Sequence, residues 1–401
     1  MKINDILRKY SLFFARYNLI LLLFFIATSS GILFYLSFNY QLGYLDDNCH
    51  YMNLSKALYS GKGYVRIDLE EQVVENTVAP GLPFIYSVIN SFYDNTKSLI
   101  GYKIFSILSM WFSILFMAII LYRYFRVNSW IIFITAIYVA LNPRIMFYSS
   151  VGTTEAPFIA LAMLNFLVLL EFIRTNRKRF YVISLVLMII TIFIKITAIP
   201  IIVVCFLWMF FSKKIRYAWI YLFCVLFFMG IWLLPLLIDG NWGYLAQFLP
   251  TEKSADISLW GMIKNTYVLR FTEKFPLELF KFIPDLVMPT FFNKIYSSLK
   301  PSVVGIVLGG VLTIFSIVSL FDHKKIRESM LFVIYVFVYV GIYSFLSSSG
   351  PRYTLVIIPS FILSIVLGLR YLFSLLRLNN IMKKILALFL SLASLYLVIP
   401  S

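Results

Sequence analysis

Long apolar runs separated by short clusters of charged residues extend along the whole chain. A membrane-spanning helix needs about 20 predominantly apolar residues, and the pattern predicts crossings on that basis. The eleven predicted crossings lie near residues 18–38, 99–122, 129–147, 154–173, 181–195, 198–212, 217–238, 302–321, 329–346, 353–373 and 385–400. The pattern therefore indicates an all-α polytopic membrane protein that forms a single transmembrane domain over residues 1–401.

Residues 180–212 allow two interpretations, because they could form one long crossing or a hairpin of two short helices broken around Lys195–Pro200. The distribution of charges decides between them. With the hairpin, 20 of the 35 Lys and Arg residues but only four of the 18 Asp and Glu residues fall on one side of the membrane. The positive-inside rule assigns that side to the cytoplasm. We therefore expect a cytoplasmic N-terminus and an extracytoplasmic C-terminus.

The opposite face then carries 14 of the 18 acidic residues, and it includes two long loops, residues 39–98 and 239–301. The cytoplasmic connections are too short for a nucleotide-binding domain, and the sequence contains no P-loop, GxGxxG motif or internal repeat. The second loop mixes aromatic residues with Lys and Arg, a pattern typical of helices that lie in the membrane interface. We therefore expect juxtamembrane helices in the loops and look for function there.

Composition supports the membrane assignment, since 61% of the residues are hydrophobic and 13% are charged, against about 25% charged in soluble domains. The net charge of +17 does not indicate a nucleic-acid partner, because the cations lie in short clusters between apolar runs.

The sequon Asn53-Leu54-Ser55 beside the candidate site argues against a heavily glycosylated eukaryotic surface. We therefore expect the protein in a bacterial plasma membrane, in contact with membrane lipids.

Two adjacent carboxylates, Asp46 and Asp47, begin an apolar-periodic stretch of the first outer loop, and His50 and Tyr51 follow them. A single Asp at this position is explained as a helix N-cap. Two neighbouring carboxylates exceed what a cap needs and raise one another's pKa. Such a pair can supply a general base together with an orienting or metal-binding partner. The spacing leaves the capping and the catalytic interpretation open.

Further ionisable residues lie at the outer ends of the predicted crossings. Glu155 and Arg144 fall in the turn between the third and fourth crossings, and facing lipid there would cost each about 2.5–3.5 kcal/mol. We therefore expect them to face a polar cavity or each other, with a structural ion pair as the alternative to a functional role. Lys103, Lys195 and Arg352 could each reach lipid headgroups separately, or together clamp a phosphate carried by a lipid.

Four scattered segments resemble the membrane-embedded glycosyltransferases of the GT-C type, which use polyprenyl-phosphate sugars. The segments are the acid pair with Tyr51 and Ala57, then Ala79–Pro83, then Tyr148 with Thr154-Glu155, and last Lys195–Thr197 with Arg352-Tyr353 and Pro359. The nearest branch looks like the protein O-mannosyltransferases and the lipid A aminoarabinose transferases. The sequence departs from the mannosyltransferase pattern in having Asp47 where Glu is usual.

The resemblance implies a GT-C fold and inverting transfer of a hexosyl or pentosyl unit from a polyprenyl-phosphate donor to an acceptor hydroxyl on the extracytoplasmic face. Carried onto this sequence, the resemblance makes Asp46 the general base. Together with the charge pattern, we expect Asp47 and Glu155 as further catalytic residues, and Lys195, Arg352 and Lys103 as ligands of the donor phosphate. We expect His50, Tyr51 and Tyr148 to contact the sugar or the acceptor. The acceptor would be a lipid, a glycan or a protein. The sequence leaves open whether a divalent metal joins Asp46, Asp47 and Glu155.

Two functions of other classes remain as alternatives. A multi-span transporter or lipid flippase would need ionisable residues or interrupted helices along a path through the membrane. The charged residues concentrate instead at the outer boundary, which favours chemistry at that surface. A non-catalytic assembly subunit would tolerate the loss of both Asp46 and Asp47.

Overall fold

The protein is almost entirely helical in the part of the chain that the computed structural model describes. The described residues are 3–36, 38, 46–68, 73–75, 78–93, 98–195, 198–238, 269–277, 303–322, 325–344 and 355–375. The helices are α1 Ile3–Leu36, α2 Asp46–Tyr59, α3 Gly81–Asn90, α4 Ser98–Arg123, α5 Ser129–Ala140, α6 Pro143–Ser150, α7 Glu155–Thr175, α8 Lys178–Ile194, α9 Ile199–Phe211, α10 Ile215–Ile238, α11 Leu269–Leu277, α12 Val303–Val318, α13 Ile326–Tyr343 and α14 Ile358–Leu375.

Short elements complete the described structure. The 3-10 turn Ser319–Phe321 extends α12, and the 3-10 turn Leu355–Ile357 leads into α14. The strands β1 Val65–Arg66 and β2 Val73–Val74 pair antiparallel, with Val65 opposite Val74.

Five of the described helices are long and apolar enough to cross a membrane: Asn18–Tyr35 of α1, α4, α7, α13, and Leu355–Leu375. A sixth span results if α5 and α6 count as one, although they are bent by 60°. Helices occupy most of the described part of each predicted range between residues 18 and 373. The predicted crossing 385–400 lies outside the described residues, so the count of eleven stays a prediction. The prediction of a polytopic integral membrane protein is confirmed.

The predicted third crossing, 129–147, consists of two helices, α5 and α6, which together can still form one bent span. The chain leaves α5 at Leu141, and Asn142 then starts α6 in an extended conformation. The side-chain oxygen of Asn142 accepts hydrogen bonds from the backbone N–H groups of Arg144 and Ile145, at 3.0 and 3.3 Å. An Asn cap followed by Pro143 is a strong signal for the start of a helix. The new helix changes the direction of the chain within a segment that the hydropathy pattern predicts to be one continuous apolar helix.

The predicted hairpin after residue 180 agrees with the contacts of α8 and α9. Lys214, just after α9, donates to the side-chain oxygen of Asn176, just before α8, at 2.8 Å. Tyr181 in the first turn of α8 donates to the backbone carbonyl of Tyr217 at 3.1 Å. The start of α8 and the end of α9 therefore lie at the same end of the bundle, as a hairpin requires.

Several of the basic clusters that the sequence assigns to the cytoplasm meet at that end. Glu171 accepts hydrogen bonds from Arg123 at 3.1 Å, Arg174 at 2.8 Å and the Tyr124 hydroxyl at 2.6 Å. Arg370 of α14 donates to a backbone carbonyl in the same region, that of Phe125. These contacts join α4, α7 and α14 at what we call the basic end. Its cytoplasmic orientation stays a prediction from the positive-inside rule.

Candidate active site

The candidate site lies at the other end of the bundle, where α2 and α3 pack against each other and α3 packs against both α4 and α8. Helix α2 begins at Asp46, so the predicted helix start at the acid pair is confirmed. The backbone of Asp46 and Asp47 forms the first turn of α2, whereas their side chains lie outside the described part of the structure.

A buried ion pair joins the first residue of α7 to the residue that ends α8. The Lys195 amine lies 2.7 Å from Glu155 Oε1, with Glu155 fully buried and Lys195 6% exposed. The two residues meet because α7 and α8 pack along their length and are joined by a tight turn at Asn176. The sequence predicted Arg144 or a polar cavity beside Glu155, and Lys195 as a separate phosphate ligand, so it missed this pairing.

Helix α3 is fixed against both ends of that ion pair. The Tyr86 hydroxyl donates to the carbonyl of Gly152, three residues before Glu155, at 2.9 Å. Gly152 has φ +73°, a conformation that favours glycine. At the other end of α3, a Cβ on Gly81 would lie 2.5 Å from the carbonyl oxygen of Phe193. Only a residue without a side chain allows α3 to approach the end of α8 so closely.

Helix α2 joins the same centre through a polar network with α3 and α4. Ser55 of α2 lies 3.3 Å from the Tyr102 hydroxyl and accepts from the Asn90 amide at 3.2 Å, and Tyr102 donates to Asn90. The Tyr102 ring stacks on Tyr86 with centroids 4.1 Å apart. The network therefore ties three elements into one packed unit.

Tyr86 links α2 to the region of the ion pair. Its hydroxyl contacts Gly152, three residues before Glu155, and its ring stacks on Tyr102, which contacts Ser55 of α2. Burial raises the pKa of Tyr86, and the charges of Tyr51, Tyr102 and Glu155 add to the rise. We call the four residues Tyr51, Tyr86, Glu155 and Lys195 the central cluster.

His50 is held by a carboxylate that the sequence did not single out. Its Nε2 atom lies 2.7 Å from Oε2 of Glu75, which is 4% exposed. The backbone N–H of Glu75 donates to the carbonyl of Tyr64 at 3.0 Å. Burial, with Glu75 and Tyr51 nearby, raises the pKa of Tyr64, so its hydroxyl stays protonated and donates to the carbonyl of Val78 at 2.9 Å. The β-hairpin segment is thereby fastened to α2.

The remaining candidate residues are only partly placed. Lys103 is buried in α4, with its amine 5.9 Å from the centroid of the Phe38 ring. Tyr148 is buried in α6. Arg352 lies outside the described residues, but the turn Leu355–Ile357 that follows it packs against α7. A common phosphate clamp of Lys103, Lys195 and Arg352 therefore stays a prediction.

The metal site also stays untested. Among the side chains that the structure describes, no three His, Cys, Asp or Glu residues are grouped so that they could hold a metal ion. The predicted ligands Asp46 and Asp47 are not in that set.

Sequence reasoning missed Glu75 and Tyr86, the two residues that hold His50 and α3 in place. Glu75 could have been noticed as an acid directly after the apolar pair Val73-Val74. Tyr86 carries no such signal, because one Tyr in a short apolar helix is indistinguishable from a core residue.

Comparison with known proteins identifies the fold. No protein-family profile and no curated protein matches the sequence. The structure is similar to ArnT from Cupriavidus metallidurans bound to undecaprenyl phosphate, with TM-score 0.53 and 13% identity, covering 85% of this chain and 59% of that one. It is similar also to the archaeal oligosaccharyltransferase AglB from Archaeoglobus fulgidus in complex with an inhibitory peptide and a dolichol-phosphate, with TM-score 0.57 and 13% identity, covering 96% and 55%.

This chain thus spans under three fifths of the length of these two proteins. At such low identity the likeness speaks for the fold. The protein therefore shares the fold of these two proteins, in agreement with the GT-C fold that the resemblance implied.

Proposed function

We propose that this protein is an inverting glycosyltransferase, which moves a sugar from a polyprenyl-phosphate donor to the hydroxyl of an acceptor on the extracytoplasmic face of the membrane. The observation that carries the proposal is the central cluster within a GT-C fold. It buries a carboxylate and an amine next to α3, and α3 packs against the helix that begins with Asp46 and Asp47. The donor class is supported by the undecaprenyl phosphate and dolichol-phosphate bound to the two similar proteins.

In the proposed reaction the acceptor oxygen attacks the anomeric carbon of the donor, and the bond from that carbon to the phosphate oxygen breaks. Asp46 takes the proton of the acceptor hydroxyl as general base. Cations stabilise the negative charge that develops on the departing polyprenyl phosphate. Lys195 is the described candidate for this role, with Lys103 and Arg352 as further candidates.

Within this scheme Glu155 orients the Lys195 amine, and Glu75 orients His50 toward the sugar or the acceptor. Both carboxylates are buried and both touch a proposed ligand-binding side chain. If a divalent metal takes part, Asp46 and Asp47 are the carboxylates at the start of α2 that would hold it.

The sharpest test replaces Asp46 by Asn, which keeps the size of the side chain and removes its basicity. General-base catalysis contributes about 10²–10⁴-fold to rate, so we expect Asp46→Asn to lower sugar transfer in membranes by at least about 100-fold. Sugar transfer from undecaprenyl-phosphate sugars is the measurement. The matched control is Asp68→Asn in the same outer segment, an exposed acid paired with Arg66, which should keep wild-type activity.

Undiminished transfer by Asp46→Asn would remove Asp46 from the mechanism. Equal losses in Asp46→Asn and Asp68→Asn would point to the folding of the outer segment and not to catalysis.

A further inference from the structure

Two polar side chains near the central cluster are buried and have no hydrogen-bond partner among the described residues. Asn48 is 2% exposed, and both its amide nitrogen and its amide oxygen are unpaired. Thr153 is fully buried, and its hydroxyl is unpaired. Burying a polar group in this way is costly, and native proteins do so where a water molecule, an ion or a ligand supplies the missing hydrogen bonds.

Asn48 continues the inward face of α2 toward the acid pair. Asn48, Tyr51 and Ser55 recur at the spacing that puts residues on one side of a helix, and all three are buried. Ser55 contacts Tyr102, whose ring stacks on Tyr86 of the central cluster. Asn48 is one turn nearer the start of the helix, directly after Asp47.

Thr153 approaches the same centre from the turn between α6 and α7. It lies between Gly152, whose carbonyl accepts from Tyr86, and Glu155, which pairs with Lys195. Asn48 thus adjoins the central cluster through Tyr51, one turn further along α2, and Thr153 adjoins it through the neighbouring Gly152 and Glu155.

The chemistry of the two side chains selects the kind of ligand. An amide offers donors and an acceptor side by side, and a hydroxyl offers one donor and two lone pairs. An anion such as phosphate accepts hydrogen bonds and would leave the amide oxygen unpaired. The hydroxyl groups of a sugar both donate and accept, and they match all the unpaired atoms.

We infer that Asn48 and Thr153 form the subsite that binds the hydroxyl groups of the transferred sugar. This inference rests on the proposed function, and it concerns the sugar and not the lipid phosphate. Under this inference the neutral side chains of Asn48 and Thr153 bind the sugar, whereas cationic side chains bind the lipid phosphate.

The test compares Asn48→Leu and Thr153→Val, which keep the approximate shape of each side chain, with wild type. In the ligand-free protein Asn48→Leu removes unpaired buried atoms, so its melting temperature should rise. The matched control is Asn90→Leu, whose amide is hydrogen-bonded to Ser55 and Tyr102 and whose loss should lower the melting temperature.

Ligand binding is measured with bare undecaprenyl phosphate and with a panel of undecaprenyl-phosphate hexoses and pentoses. We expect both variants to bind the preferred sugar-bearing lipid about tenfold or more weakly, because a site built to hydrogen-bond hydroxyl groups depends on each polar partner. Affinity for the bare lipid should stay within about threefold, as the phosphate is bound by other residues.

Three results would contradict the inference in different ways. A lower melting temperature for Asn48→Leu would mean that the amide is already hydrogen-bonded in the ligand-free protein. Unchanged preference for the sugar-bearing lipid in both variants would assign the unpaired atoms to buried water and leave the proposed function intact. If wild type bound no member of the panel better than bare undecaprenyl phosphate, the proposed function and the subsite would fall together.

Discussion

At the scale of single residues, the Glu155–Lys195 pair couples structure and function most tightly. Removing one partner of a buried ion pair is strongly destabilising, by about 3–5 kcal/mol, because the other charge stays buried and uncompensated. Replacing both partners by well-packed hydrophobic residues of similar volume is often neutral or stabilising. A structural pair and a functional pair can therefore be told apart by comparing single and double variants.

We expect Glu155→Met and Lys195→Met each to lower the melting temperature, and the double variant to recover most of the loss. Sugar transfer should stay low in all three, by about 100-fold or more, because Lys195 is proposed to stabilise the charge of the leaving phosphate. Thermal unfolding and transfer assays on the four proteins are the measurements. Activity that returns together with stability in the double variant would make the pair purely structural.

The residues of this pair could be singled out from sequence, but their pairing could not. Glu155 and Lys195 are conspicuous as lone charges between apolar runs. They lie 40 positions apart, and the register of α7 against α8 that joins them depends on packing along both helices. Asn48 illustrates the same limit, since an Asn beside two Asp residues gives no sign of being buried without a partner.

At the scale of secondary-structure elements, the position of α3 decides whether the central cluster forms. Gly81, the first residue of α3, lies against Phe193 in the last turn of α8. Phe193 precedes Lys195, the partner of Glu155, by two residues. A Cβ at Gly81 would collide with the backbone carbonyl of Phe193, and a backbone atom cannot move aside as a flexible side chain can.

We expect Gly81→Ala to lower both thermal stability and sugar transfer, since α3 must shift away from α8 and carry Tyr86 with it. The matched control is Gly230→Ala in α10, where an added Cβ meets nothing within 4 Å and alanine favours the helix. Melting curves and transfer assays compare the two. Wild-type values for Gly81→Ala would show that α3 does not depend on this close approach.

The predictability of the elements follows the strength of their local signals. The spanning helices carry apolar runs of the required length, and α2 carries a clear apolar period, so both were predicted. The strands β1 and β2 have two residues each, too few for an alternating pattern. The bend between α5 and α6 follows from the helix cap at Asn142-Pro143. This local signal is lost when hydropathy is averaged over a window long enough to detect a spanning helix.

At the scale of the whole molecule, ionisable residues separate to the two ends of the bundle. In the five described spanning helices, Asp, Glu, Lys and Arg lie within the first two or the last two turns. Arg123 and Arg174 contact Glu171 at the basic end. Glu155 and Lys195 form a buried ion pair near α3 at the opposite end of the bundle. A transport path would need polar groups between these ends, so the described helices favour chemistry at one surface.

The proposed function can be tested by native mass spectrometry of the lipids retained by the protein after purification from its own membranes. We expect a retained polyprenyl phosphate or polyprenyl-phosphate sugar, and a mass shift when an undecaprenyl-phosphate sugar is added to lipid-free protein. Retention of bulk phospholipids alone, with no mass shift for any added undecaprenyl-phosphate sugar, would contradict it.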